Sequence, residues 1–536
     1  MNTLFSSIRD AYLRAKLLLK HLGEDKIDLA ALEARINASP GIPVPNPTTS
    51  FWLENPPFPG LVDIRSKSLP RSADIIIIGS GITGASVART ILSECAAMGV
   101  KRRVVMLEAR QICSGATGRN GGHMKCTPYE SFSEYKQRFG AQRAKVLVDF
   151  QTSHIPILVD LAHQEKWDVA EARDVETLDV FYDEEAWIEG QHQVEELRQG
   201  MPKEAQNTEL WDKEAAREIY KVGEHAYGAI SFQAGAVWPY RLVTSALNDL
   251  LEKYPSGFSI ETHTSVENIS TTRSPNQPFI IHTSRGDIIA SHVVHATNAH
   301  TANLVPGLRG KLFPVRGTMS AQRPGTAFPQ VDGSKSWCLI NNKGYEYITQ
   351  RPGTVDAIDG LGGEIMIGGG MMRMKGLEEF GKASDAETSY MAGCHLSGVL
   401  PMGFGLENWG EDAPGGRMKS LWSGSLGITA DHLPFVGRLE TSLTGRNPMK
   451  VVRSKNKSES VPAPGEWIAA GYNGEGMVNA WLCGVALGLM ILGREASTLK
   501  IPGKPYGTLD EWFPKEYLCT QKRVTKASVF QLLARW

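Results

Sequence analysis

The sequence predicts a mixed α/β protein organised around a dinucleotide-binding βαβ unit, and three observations carry that prediction. Four consecutive isoleucines, Ile75, Ile76, Ile77 and Ile78, read as a strand buried on both faces. The turn Gly79-Ser-Gly-Ile-Thr-Gly84 follows at once, with glycines at the spacing of a phosphate-binding turn into a helix. A second apolar run, Val104 to Leu107, ends in Glu108, 24 residues past Gly84.

Each part has a mechanical task. Gly79 permits the tight turn, Gly81 lets the backbone approach a pyrophosphate, and Gly84 lets the new helix pack closely on its strand. The helix start, Ile82 and Thr83 included, meets the phosphates with unpaired N–H groups and a positive dipole end. Glu108, followed by Ala109, stands where a carboxylate accepts hydrogen bonds from ribose hydroxyls. Glycine-rich turns also occur in unrelated α/β proteins; the order of strand, turn, helix over residues 85–98, strand and acid separates this one from them.

A chain of 536 residues is too long for one core and implies two or three domains. With 57 basic against 58 acidic residues, the net charge of −1 offers no field to attract nucleic acid or an anionic membrane. The seven cysteines are scattered, odd in number and form no CxxC pair, which argues for a reducing compartment and against a disulfide framework or a structural zinc. No metal-ligand spacing is present. The N-terminus lacks a secretory apolar core, so the expectation is a cytoplasmic protein. Residues 477–493 carry no charge over 17 positions, but Asn479, Gly484 and Gly488 suit a buried core helix better than a membrane span.

Along the chain, residues 1–70 form an extension with two amphipathic helices, 8–22 and 27–36, followed by a proline-rich run from Pro40 to Pro59. Its expected role is a strap over the main body. Residues 71–128, 229–312 and 418–498 are assigned to the nucleotide-binding domain, and 129–228 with 313–417 to a second, substrate domain. Residues 441–465, polar and basic, read as a flexible surface insertion, and 499–536 as a C-terminal tail.

Two further glycine clusters point to a larger ligand. Directly after Glu108, the stretch Cys113-Ser-Gly-Ala-Thr-Gly-Arg-Asn-Gly-Gly-His123 has four glycines in eleven residues and brings many N–H donors beside the first phosphate site. A third element, Ala469-Ala-Gly-Tyr-Asn-Gly-Glu-Gly-Met477, is a strand end, a turn and a helix start. Its helix N-terminus suits negative charge on the pyrimidine end of a reduced isoalloxazine.

With these clusters in order, the sequence from about residue 73 to 493 resembles the D-amino-acid oxidase and sarcosine oxidase superfamily of FAD-dependent oxidoreductases. Gly235-Ala-Val-Trp-Pro-Tyr240, Val293-Val-His-Ala-Thr-Asn298 with Pro314-Val-Arg-Gly317, and the segment from Trp422 to Gly437 add to the likeness. The branch it is most similar to holds γ-glutamylputrescine-type oxidoreductases. The resemblance implies a glutathione-reductase-type FAD-binding, Rossmann-like domain with a mixed-sheet substrate domain roofing the flavin. Cofactor contacts are then expected at Gly79, Gly81, Ile82, Thr83, Gly84, Glu108 and Ala109. Further contacts are expected at Gly115, Ala116, Thr117, Arg119, Asn120, Gly121, Gly122, Val266, Ala296, Thr297 and Asn298, and at Gly424, Asp431, Gly474, Glu475, Gly476 and Met477.

The implied activity is oxidation of a C–N bond in a small-molecule amine or amino acid. A hydride passes to flavin N5, an imine forms and hydrolyses, and oxygen or another acceptor takes the electrons. Where some relatives attach flavin through cysteine this sequence has Gly424, and where others use histidine it has Arg119, so noncovalent FAD is expected, with His123 a lesser candidate for a histidyl bond. Hydride transfer needs positioning more than an acid or base, so a missing catalytic triad is no objection.

Tyr345 and Tyr347 share one face of a roof strand, where they line an amine pocket by cation–π contact or simply pack the sheet. Arg373 and Arg351 are candidates for a substrate carboxylate; Arg316 is expected to be structural or flavin-adjacent. His123 and His432 follow cofactor motifs and face the flavin or serve structure. Oxidation of an alcohol carbon, and a flavin-bound protein without turnover, are the competing readings.

Overall fold

The structure, a computed structural model, describes residues 28–329, 331–341, 344–353, 363–371, 377–448 and 462–533. The helix expected over 8–22, the candidate Arg373 and residues 449–461 of the surface insertion lie outside the described residues.

The chain enters through helix α1 (Leu29–Asn37), capped by the Asp28 side chain. The nucleotide unit follows as β1 (Ser72–Ile78), α2 (Ile82–Ala97) and β2 (Val104–Leu107). Then come β3 (His123–Met124), helices α3 (Pro128–Phe139) and α4 (Ala141–Thr152), and strands β4 (Arg173–Phe181), β5 (Glu209–Asp212) and β6 (Gly228–Ala236). Next are β7 (Phe258–Glu261), β8 (Val266–Thr271), β9 (Phe279–Thr283) and β10 (Gly286–His295). The roof strands are β11 (Leu312–Gln322), β12 (Lys335–Asn341), β13 (Gly344–Gln350), β14 (Ile365–Gly369) and β15 (Met418–Thr429). The chain then returns through β16 (Phe435–Arg438), β17 (Gly465–Ala470) and helix α5 (Ala480–Leu492).

Among the described residues these strands make two sheets. The first has the order β16-β17-β10-β1-β2-β7, with β9 and β8 continuing from β10. Strands β17, β10, β1, β2 and β7 run parallel, so their C-terminal ends share one edge. Ile75 and Ile77 pack on the α2 side with Val104 and Met106, while Ile76 and Ile78 pack on the other side with Val105, Leu107 and Val293. That alternation is why four isoleucines in a row are needed.

Gly84 meets its expectation closely: a Cβ there would stand 2.1 Å from the Gly79 carbonyl oxygen. The apolar helix α5 crosses α2 at Gly484 and Gly488, where Cβ atoms would stand 2.7 Å from Ser86 Cβ and 2.8 Å from Thr90 Cβ. Its glycines are thus contact points inside the core. No helix among the described residues is long and apolar enough to cross a membrane.

The second sheet has the order β15-β11-β14-β13-β12-β4-β6-β3, with β5 on β6. Here the domain boundaries read from sequence need correction. That reading puts residues 229–236 and 418–429 in the nucleotide domain, but β6 pairs with β4 along its whole length, and β15 pairs with β11. Each is followed within a few residues by nucleotide-domain structure, so a boundary drawn from sequence falls on the wrong side of a strand that is itself the crossing.

The two sheets are tied by a buried ion cluster. Asp385 receives both Arg110 guanidinium nitrogens, at 2.9 and 3.0 Å, and lies 3.2 Å from Arg119 Nε. Arg119 also donates to the carbonyls of Ser423 on β15 and Thr48 in the extension, at 2.8 and 2.7 Å. The Arg119 guanidinium is held down to about 10 by its burial, with Asp385 opposing that shift. Replacing Asp385 with asparagine leaves two buried guanidiniums without a carboxylate. We expect Asp385→Asn to lose about 3–5 kcal/mol in denaturant unfolding, far more than an exposed ion pair would cost.

Candidate functional site

Topology alone brings four loops to one edge. The parallel strands β1, β2, β10 and β17 end at Gly79, Glu108, Ala296 and Gly471, and a crevice forms where the connections leave β1 in opposite directions. Gly79, at φ +109°, allows the turn, and a Cβ there would stand 2.6 Å from Ala296 O. Helix α2 begins at Gly81, which has no side chain to cap it and leaves the first turn directed at the cavity.

Hydrogen bonds lace the loops together. Ser80 Oγ donates to Glu108 Oε2 at 2.6 Å, and Cys113 N donates to Ser80 Oγ at 2.8 Å. Ile82 N donates to Thr117 Oγ1 at 3.0 Å, joining the first loop to the second. The Thr83 and Tyr472 hydroxyls share a hydrogen bond of 2.8 Å, and Asn298 Oδ1 accepts from Gly471 N at 2.9 Å, joining the first loop and the loop after β10 to the third. The elongated cavity between them is lined by Gly79, Gly81, Ile82, Thr83, Glu108, Ala109, Gly115, Ala116, Thr117 and Asn120. Val266, Ala296, Thr297, Asn298, Gly474, Gly476 and Met477 complete the expected lining.

This donor set fits an adenine dinucleotide. A carboxylate stands at the tip of β2, a glycine turn and an uncapped helix start lie at the middle, and backbone of two further loops lies at the far end. FAD would be held by Glu108 at its ribose, by residues 79–83 at its pyrophosphate, and by Asn120 with residues 474–477 at its ring system.

Several expected contacts sit elsewhere. Gly84 acts beneath the turn. Arg119 is consumed by the ion cluster, and a Cβ on Gly424 would stand 3.1 Å from Arg119 Cβ, so Gly424 makes room for that arginine. Asp431 is held by Arg523 of the C-terminal tail, Nε to Oδ2 at 2.7 Å and Nη2 to Oδ1 at 3.0 Å. Glu475 turns its carboxylate away from the dinucleotide cavity to Gln151, which donates to it at 2.9 Å. Gly121 touches the roof instead, and Gly122 touches Val237 and the extension: Cβ atoms there would stand 2.5 Å from Tyr347 Cε2, and 2.4 Å from Val237 O and 3.1 Å from Trp52 Cζ2. Sequence reasoning missed Thr264, Ser265, His300, Asn303, Asp385 and residues 41–43, all of which line the cavity. Thr264 and Ser265 adjoin the expected Val266; nothing local signals the others.

Above the second loop lies β13. Thr349 Oγ1 donates to Gly121 O at 2.9 Å, which sets the strand over that loop, and Tyr345 and Tyr347 lie on the same face with ring centroids 6.5 Å apart. Tyr345 is 59% exposed, so its ring is accessible at the roof. Burial pushes the Tyr347 hydroxyl up to about 12 and raises that of Tyr345, the latter also through Cys338 and Glu475. Glu475 is pushed up to about 7 by burial and then by Glu130 and Glu134. Glu130 is raised by burial and by Asp179, whose own oxygens accept from Lys125 and, at 2.6 Å, from Tyr129.

Arg351 and Arg316 are both engaged by carboxylates. Arg351 is closed off by Glu171 at 2.6 Å and Glu364 at 2.8 Å and stacks 4.5 Å over Trp238. Arg316 is held by Glu379 at 2.5 and 3.1 Å and Glu387 at 2.8 Å, a structural role. His123 lies on β3 beside the second loop, with its Nε2 buried and unbonded and its pKa pushed well below the usual range by burial and Lys125. His432 lies in the turn after β15 at φ +62°. No cluster of metal-binding side chains occurs among the described residues, and all seven cysteines are free thiols.

A family model described as FAD dependent oxidoreductase (DAO) matches residues 74–488. The probable oxidoreductase OrdL of Rhizobium meliloti (strain 1021) is 21% identical over 446 residues, 82% of this chain and 88% of that protein. One component of the anaerobic glycerol-3-phosphate dehydrogenase of Escherichia coli (strain K12) is 50% identical over 52 residues, so the likeness spans 10% of this chain and only 8% of that relative. Glycine oxidase from Geobacillus kaustophilus shares the fold at TM-score 0.58 and 17% identity, covering 80% of this chain and 97% of the other. L-amino acid deaminase from Proteus myxofaciens does so at TM-score 0.55 and 15% identity, covering 88% and 98%. The lacing of three loops around a dinucleotide cavity and the match over most of the chain agree: this protein belongs to the DAO family of FAD-dependent oxidoreductases.

Proposed function

We propose that this protein oxidises a C–N bond of a small-molecule amine, with the amine bound as a cation between the β13 tyrosines and the carboxylates of Glu475 and Glu130. The observation that carries the reading is the pair of β13 tyrosines: their rings lie 6.5 Å apart above the second cofactor loop, and Tyr345, 59% exposed, is within electrostatic reach of Glu475 and Glu130. Aromatic faces and carboxylates together attract an ammonium group. Flavin, when bound, supplies the hydride acceptor.

The chain's own residues orient the amine and handle its proton. A substrate arriving as an ammonium must lose that proton before its carbon can release hydride. Glu475, near 7, lies in the range where a carboxylate takes a proton from a bound ammonium and returns it to water. Oxidation then leaves an imine, which water hydrolyses to carbonyl and free amine; oxygen or another acceptor takes the electrons. Among the described residues, neither Arg351 nor Arg316 has a free face for a substrate carboxylate, which supports an amine over an amino acid. Alcohol phosphates are disfavoured because Lys125 is paired with Asp179. The two positions at which relatives attach flavin hold Gly424 and Arg119, packed on each other, which supports a noncovalent flavin, with His123 the lesser candidate for a bond.

Three outcomes check this reading. Anaerobic mixing with simple primary, secondary and N-methyl amines bleaches the flavin band, while α-amino acids of equal size and glycerol 3-phosphate act at least about tenfold more slowly, matching the loss of one good charge contact. No bleaching by any amine would overturn the proposal. Acid precipitation of the holoprotein leaves the yellow colour in the supernatant; colour in the pellet would show a covalent bond.

The raised carboxyl of Glu475 also makes stability depend on pH. The fold favours its protonated form, so this contribution is complete below 4.5, the ordinary value, and is lost as pH rises through about 7. The melting temperature of Glu475→Gln minus that of the parent therefore grows between pH 4.5 and 7 and then levels off.

A further inference from the structure

The N-terminal extension reaches the cofactor cavity, and its course suggests a role that neither the family nor the amine reading assigns. Gly41, Ile42 and Pro43 form part of the cavity wall, beside His300, Asn303 and Arg110. Ile42 is a large apolar residue left 46% exposed. The segment is pinned on both sides of the cavity. On one side Ser39 Oγ donates to Asn303 Oδ1 at 2.8 Å, and His300 Nδ1 donates to Gly41 O at 3.0 Å. On the other, Arg110 Nη1 donates to Val44 O at 3.2 Å, and Thr48 N donates to Asp385 O at 2.7 Å.

Beyond these pins the chain is anchored firmly at both ends. Upstream, Leu29, Leu32 and Ile36 of α1 pack with Phe313, Val315 and Phe380 behind the roof. Downstream, Phe51 and Trp52 are fully buried, Ser50 Oγ donates to Gly118 O at 2.7 Å, and Trp52 Nε1 donates to Asn120 O at 2.5 Å. Between the anchors, Pro40, Pro43, Pro45 and Pro47 fix the backbone torsions and remove N–H donors, so the thread is stiff and makes no sheet or helix of its own. A stiff thread stretched between two buried anchors loses little entropy on lying down and swings as a unit when its pins break.

We propose that residues 39–48 are a latch over the cofactor cavity: the backbone of residues 41–43 with the Ile42 side chain covers the adenosine end of FAD, and FAD enters or leaves only when the Ser39, Gly41 and Val44 pins open. The latch rests on the family's cofactor and not on the choice of substrate, so a test that reads FAD binding without turnover fails or succeeds independently of the amine reading.

The experiment measures FAD release from diluted holoprotein, followed by the rise of free-flavin fluorescence, and FAD rebinding to apoprotein. In Ser39→Ala/Ile42→Gly/Pro43→Gly both rates rise by about tenfold, because loosening a gate lowers the barrier in both directions. In a second variant, Cys394, the exposed native thiol, is changed to serine, and Ser39→Cys with Asn303→Cys are bridged by a short bismaleimide. Bridging slows both release and rebinding, and the unbridged protein serves as its own folding control. The proposal is overturned if bridging leaves both rates unchanged, or if the loosened variant speeds release alone, since that result describes a lost contact and not a gate.

Discussion

The carboxylate of Asp385, held between the Arg110 and Arg119 guanidiniums, is the interaction on which the rest of this architecture depends. Arg110 follows Glu108 by two residues, Arg119 lies in the second glycine-rich loop, and Asp385 arrives from the roof side 275 positions after Arg110. The extension joins through Val44 and Thr48, and β15 through the Ser423 carbonyl. All three charged groups are buried, so none of them can be satisfied by water if another moves away. The cluster therefore holds roof, cofactor loop and extension in one register, with the spacing between the second loop and β13 as its consequence.

That spacing divides the interior into two chemically different spaces. The dinucleotide cavity is walled mostly by backbone, glycine and small side chains, which suits a ligand that must be approached closely and recognised through N–H groups. Beyond Gly121 the surroundings change to tyrosine rings with Glu475 and Glu130 in electrostatic reach of Tyr345, a combination that attracts an organic cation. Gly121 stands at the division because any larger residue would strike Tyr347. Glu475 stands between the two: its flanking glycines line the dinucleotide cavity and its side chain accepts from Gln151.

The comparison with sequence turns on which residues act through local rules. The first loop is legible because strand, turn and helix follow one another and each glycine answers to a contact a few residues away, as Gly84 does to Gly79. Asp431 and Arg119 are legible as parts of motifs, but what their side chains bond is not, since their partners, Arg523 and Asp385, come from distant parts of the chain. Residues 229–236 and 418–429 fall to the wrong domain because their partners, β4 and β11, are not written in neighbouring positions and only the sheet pairing shows them. Arg351 looks like a carboxylate clamp, and only the positions of Glu171 and Glu364 show that its charge is already matched.

The sequence by itself determined the nucleotide unit, the three glycine loops and the family, because periodicity, glycine spacing and an acid at a strand tip are written in neighbouring positions. Tertiary structure alone decided which charges are free, which loops share a wall, and that a proline-rich extension lies against the cofactor cavity. The reason is physical: burial, ion pairing and close approach arise between groups that chain order leaves far apart, and only the folded backbone brings them within a hydrogen bond's reach.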